Sequence, residues 1–174
     1  MNSEDLVTIH AKPHPDPKVQ RVGFGLDHPY LELVWGSAVG PSVVHLLRRL
    51  PDLWGQAMPV RMTAGELASG LGFPGKGGLD RTTKRVVAFG LGEWESPQDL
   101  AVYTQVRALP SRLMRLAPDW VVTAHERLLT DHLHQLQGGT APQPDSVARV
   151  RTQLDRHQPP VARPLSPGPN PLAR

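Results

Sequence analysis

The 174-residue chain has no cysteine, which excludes disulfides, thiolate metal ligands and a cysteine nucleophile. Aromatic residues make up only 5% of it, so any core is modest and built mainly from Leu and Val. No apolar run approaches the roughly 18 residues a membrane span needs, and Met1 to Glu4 do not open a signal peptide. These absences lead us to expect a soluble, cytoplasmic protein with no membrane partner. No Ser-His-Asp signature is present. His125, His132 and His134 are spaced by seven and two, not as the i, i+4 pair that puts two imidazoles on one helix face. Solvated helix histidines are expected there, with no metal, no cofactor, no catalytic residue and no enzymatic activity.

Proline and glycine are abundant instead, 19 and 16 residues, and the prolines gather at the two ends. Residues 1–27 read as a flexible N-terminal arm and residues 138–174 as a Pro/Arg-rich disordered tail. The net charge is +3, and it is unevenly placed. Lys76, Arg81, Lys84 and Arg85 stand against Asp80 within one short internal segment, and the tail holds five arginines against two aspartates. Both concentrations favour an anionic partner.

Gly70-Leu-Gly-Phe-Pro-Gly-Lys76 superficially matches the start of a phosphate-binding loop, but Gly77 stands where the metal-coordinating hydroxyl belongs. The preceding residues, Thr63 to Ser69, have a helical pattern rather than that of a buried strand. The glycines therefore read as a turn between two helices.

Tyr30 to Trp35 fits either a strand or a first helical turn. A helix opens at Gly40-Pro41-Ser42, buries Val43, Leu46, Leu47 and Leu50 on one stripe, and stops near Pro51 and Gly55. Arg48 and Arg49 fall off that stripe. Thr63-Ala-Gly-Glu66 is a capping box that starts a second helix, with Leu67, Ala68 and Leu71 inward. A third helix runs from about Leu79 to Phe89, with Thr83 and Val86 inward and Asp80, Arg81, Lys84 and Arg85 outward. A hairpin follows, with arms at 92–95 and 100–107. Pro118 opens a last amphipathic helix whose apolar face includes Val121, Leu128 and Leu136. Trp35, Trp54 and Trp120 read as packing residues, and Trp94 as an exposed residue at the hairpin tip.

The capped TAGELASGLG, the basic LDRTTKRVVAFGL and the hairpin it feeds resemble the winged helix-turn-helix superfamily of DNA-binding domains over residues 28–107. The implied fold is mainly α with a small β-hairpin, followed by a C-terminal helical segment, 108–137, for packing or dimerisation. The resemblance implies that the third helix enters the major groove, with Arg81, Thr82, Lys84 and Arg85 facing DNA and Lys76 reaching the backbone. It also implies double-stranded DNA as partner, a transcriptional regulator or a replication or partition accessory, a homodimer, and association with the nucleoid. Glu93, Glu95 and Asp99 depart from the pattern, because a wing lying on phosphates should not be acidic. The alternative is a protein-interaction adaptor using the acidic wing and the tail. Trp94, Val121, Leu128 and Leu136 are the candidate protein interface.

Overall fold

The computed structural model describes residues 4–73 and 76–138, without the side chain of Lys76. The tail from residue 139 onward, including its arginines, lies outside the described residues.

The fold is mixed α/β rather than mainly α. A four-stranded sheet is built from β1 (Leu6–Lys12), β3 (Val60–Thr63), β4 (Gly92–Ser96) and β5 (Asp99–Tyr103), in the order β3-β1-β5-β4. A second, two-stranded sheet pairs β2 (Phe24–Gly25) with β6 (Gln105–Val106). Among the described residues no helix is long and apolar enough to cross a membrane.

The main correction concerns the N-terminus. The segment expected as a flexible arm supplies the inner strand β1, antiparallel to β3 (Ile9 opposite Val60) and parallel to β5 (Ile9 opposite Leu100). Val7 and Ile9 alternate inward and are almost completely buried, as a half-covered strand requires. Within residues 13–17 the prolines end this strand and begin a helix. Pro17 opens α1 (Pro17–Val22), and the Asp16 side chain accepts from the Lys18 N–H at 2.8 Å, an N-cap.

Residues Leu31–Trp35 form a wide π-helical turn that runs into α2 (Gly36–Val39), resolving the strand-or-helix ambiguity in favour of helix. Gly40 then takes φ 79°, a conformation side chains resist, and Pro41 begins α3 (Pro41–Gln56). This helix runs through Pro51 instead of stopping there. Its last turn is anchored by Trp54, whose Nε1 donates to the Ile9 carbonyl at 3.3 Å.

The capping box forms as expected, with the Thr63 hydroxyl accepting from the Glu66 N–H and the Glu66 carboxylate accepting from the Thr63 N–H. It starts α4 (Ala64–Gly70), and after Gly72, at φ 64°, the chain re-enters helix as α5 (Lys76–Ala88). Leu67, Ala68, Leu71, Leu79, Val86 and Leu91 share one core cluster with Leu46, Leu47 and Leu50 of α3 and with Leu100 and Val102 of β5. A short α6 (Ser111–Met114) leads to α7 (Asp119–Leu136). The face of α7 bearing Val121, Ala124 and Leu128 is buried in the same cluster.

Candidate nucleic-acid interface

The outward face of α5 carries Arg81, Lys84 and Arg85, as the helical spacing demands. The Arg81 Nε donates to the Gly77 carbonyl at 3.0 Å. Arg85 donates to the Ala38 carbonyl at 3.0 Å, and its guanidinium lies 5.5 Å from the centre of the Phe89 ring. These contacts leave both heads exposed and hold them in place on the surface. Lys84, also exposed, pairs with Asp80 at 2.7 Å. That pairing holds the Asp80 carboxyl below its usual range, and such an exposed i, i+4 pair is weak enough to open for another anion. Lys76 opens the helix, and its side chain lies outside the described residues.

Thr82 borders the cleft beside Arg81 and Arg85 but offers it little surface. It is buried, and its hydroxyl donates to the Gly78 carbonyl at 2.8 Å. Thr83 likewise is fully buried and bonds the Leu79 carbonyl. On a helix whose outer face is basic, a hydroxyl bonded back to the preceding turn has no spare donor for a ligand.

Arg81 and Arg85, one turn apart, share a cleft of about 330 Å³ with Gly40, Pro41, Ser42 and Val43 at the start of α3. Gly40 provides no side-chain cap there, so the first-turn N–H groups of Ser42 and Val43 have no intrahelical acceptor. Two guanidinium heads and free helix-start amides in one cleft suit a phosphate group.

The β4–β5 hairpin differs from the expected wing. Its connection is only Pro97-Gln98, and β1 lies alongside up to the tip, where the Thr8 N–H donates to the Gln98 carbonyl at 2.8 Å. Its acids are not free. Lys12 Nζ reaches Glu93 at 2.6 Å and Glu95 at 2.7 Å, and His10 sits 3.2 Å from Glu95. The hydrogen bonds from Lys12 hold both carboxyls below their usual range and raise the lysine. Lys12 of β1 thus offsets part of the hairpin's negative charge. Trp94 is half-buried and packs against the core rather than standing at the tip.

The other interface candidates divide. Val121 and Leu128 are buried in their own domain, while Leu136 is 48% exposed. A dimer built on the whole apolar face of α7 is therefore ruled out by the packing of that face. His125 and His132 are only partly exposed. The Tyr30 hydroxyl accepts from the Leu109 N–H and shares a hydrogen bond with His125 Nδ1. Burial pushes the Tyr30 phenol up to about 12. His132 lies against Phe24 and His28, with ring centres 4.5 and 5.2 Å away, and its Nε2 is buried without a partner. A spacing of seven, read as uninformative for metal binding, is two helical turns and places both histidines on one inner face.

Trp120, expected as a packing residue, is 60% exposed. It borders a groove of about 900 Å³ with Arg48, Arg49 and Glu32. The only sequence signal for this groove was that Arg48 and Arg49 lie off the apolar stripe of α3.

No family model matches the chain, and no curated protein matches it. Among solved structures it is similar to primosome protein DnaB (residues 1–300) from Geobacillus stearothermophilus, at 14% identity and a TM-score of 0.43. The match covers 84% of this chain and 55% of that one, so the chain spans about half the length of that neighbour. Likeness at this level fixes neither fold nor function.

Proposed function

We propose that the protein binds duplex DNA through α5, with Arg81 and Arg85 as the principal contacts and Lys84 and Lys76 as supporting phosphate contacts. The observation that carries this reading is the pair of ordered, exposed arginines one turn apart on a helix that follows a capped helix and a glycine turn. An arginine fork matches two acceptors on a guanine edge, and its charge serves equally for phosphate. The cleft at the start of α3 supports the reading by offering a seat for one backbone phosphate beside the groove-facing helix.

The element order α3-β3-α4-α5-β4-β5 also agrees with a winged helix in which β1 has been inserted between the first and last strands of the usual three-stranded sheet. On this reading the hairpin is held in the sheet by β1, and the Lys12 pairing reduces the repulsion its acids would exert on DNA. A regulator or a replication or partition accessory is the corresponding role. The adaptor alternative loses its two anchors on the hairpin, since Glu93 and Glu95 are ion-paired and Trp94 is half-buried.

Selection from a random pool of duplex DNA tests the proposal. Enrichment of a short consensus with guanine at fixed positions is expected, and bound fragments showing no enrichment and no affinity above that of bulk protein would overturn it.

A further inference from the structure

The groove at Trp120 adjoins the cleft assigned to duplex DNA, sharing Pro41 with it, but none of Arg81, Lys84 and Arg85 lines it. One wall is the α3 face on which His45, Arg48, Arg49 and Asp52 recur at helical spacing, and the other includes Trp120 at the start of α7. Gly36 and Ser37 of α2 complete the lining, with Glu32 nearby. Arg48 is engaged by the Asp27 carbonyl at 3.2 Å and by Glu32 at 3.9 Å. Arg49 has no hydrogen-bonding or ionic partner among the described residues, and neither does the Trp120 indole N–H.

We propose that this groove is a second nucleic-acid site, for a single strand, in which a base stacks on Trp120 and the adjoining phosphate meets Arg49. An exposed indole beside an unpaired cation is the combination that single-strand binders use, because every base has a face to stack while the backbone needs positive charge. The mixed charge of the groove fits this ligand better than it fits a bare anion. A nucleotide unit presents a phosphate to Arg49 and exocyclic amino donors to a carboxylate such as Asp52. A purely phosphate-binding surface would have no use for that acid. The site is independent of α5, so it stands or falls separately from the duplex proposal.

The test uses the full chain and its own tryptophans. Trp35 and Trp54 are buried and Trp94 is half-buried, so quenching by an added strand reports chiefly on Trp120. A single strand of about 12 nucleotides, within the usual footprint of such sites, is expected to quench this fluorescence at low salt. A dye-labelled copy of the strand then gives affinities by anisotropy. Trp120→Ala should weaken binding between about fivefold and a hundredfold, the range of one base-aromatic stack. Arg49→Ala should weaken it and flatten its salt dependence. Duplex binding should be unchanged by either substitution, whereas Arg81→Ala with Arg85→Ala should leave strand binding intact. If the strand leaves fluorescence unchanged, or Trp120→Ala binds it as the parent does, the proposal fails and the groove is better assigned to a protein partner. Quenching by a mononucleotide as tight as by the strand would also overturn it, since the backbone contact would then contribute nothing.

Discussion

Replacing Ile9 by alanine tests the most consequential feature of the fold, the placement of β1 inside the sheet. Ile9 is completely buried, opposite Val60 on one side and Leu100 on the other. Its backbone carbonyl, which accepts from Trp54, is retained in the variant, so the loss is confined to the side chain. Truncating a fully buried isoleucine costs about 2–4 kcal/mol through lost transfer energy and the cavity left behind. For a domain of this size that corresponds to a fall in Tm of roughly 10 °C. Leu6→Ala, in the same strand but at a side chain that is 50% exposed, should change stability by no more than about 0.5 kcal/mol. Thermal unfolding followed by circular dichroism separates the cases. If Ile9→Ala melts within a degree or two of the parent, the N-terminus is an arm, the four-stranded sheet is wrong, and so is the pairing of the hairpin acids with Lys12.

Three further outcomes follow from the structure. Burial lowers the pKa of both His14 and His28, with the neighbouring His132 adding to the effect at His28. The folded protein therefore binds fewer protons than the unfolded chain as pH falls below the ordinary histidine value of about 6.5. Stability should decline across that window, before the carboxylates titrate; urea unfolding of His14→Asn with His28→Asn should show a flatter profile there, and a profile as steep as the parent's would contradict the assignment. Thr82→Val should leave DNA affinity unchanged by anisotropy, since its hydroxyl is bonded to Gly78; a tenfold loss would place Thr82 back on the binding face. Gly92→Ala should destabilise by more than about 2 kcal/mol, because the new Cβ would lie 2.4 Å from the Ala101 carbonyl oxygen, and a near-neutral melting curve would show that the hairpin can shift.

What could be read in the sequence was local. The capping box at Thr63 and Glu66, the inner face of α5 through Thr83 and Val86, and the basic outer face all depend on spacings of three or four residues, and each took the expected place. The role of β1 could not be read in this way. Its alternation of Val7 and Ile9 is short, prolines follow it at once, and its partners lie some fifty and ninety positions along the chain. Missing β1 also made the hairpin look acidic, because Lys12 and His10 were assigned to an arm. Thr82 is more buried than its place among basic residues suggests, for a smaller reason. Its position between Arg81 and the inward Thr83 lies near the edge of the outer face, and only packing decides which way it turns. His125 and His132 of α7 are two turns apart, a spacing unsuited to a metal pair but suited to a buried stripe.

Measuring duplex-DNA affinity against salt, for the parent and for Arg81→Ala with Arg85→Ala, tests the central claim most directly. The parent should bind with an affinity that falls steeply as salt rises. The double variant, folded by circular dichroism, should lose at least an order of magnitude in affinity. If both arginines contact phosphates, its slope of log affinity against log salt should be shallower by about 2. A folded double variant with the parent's affinity and slope would contradict α5 as the DNA-binding element.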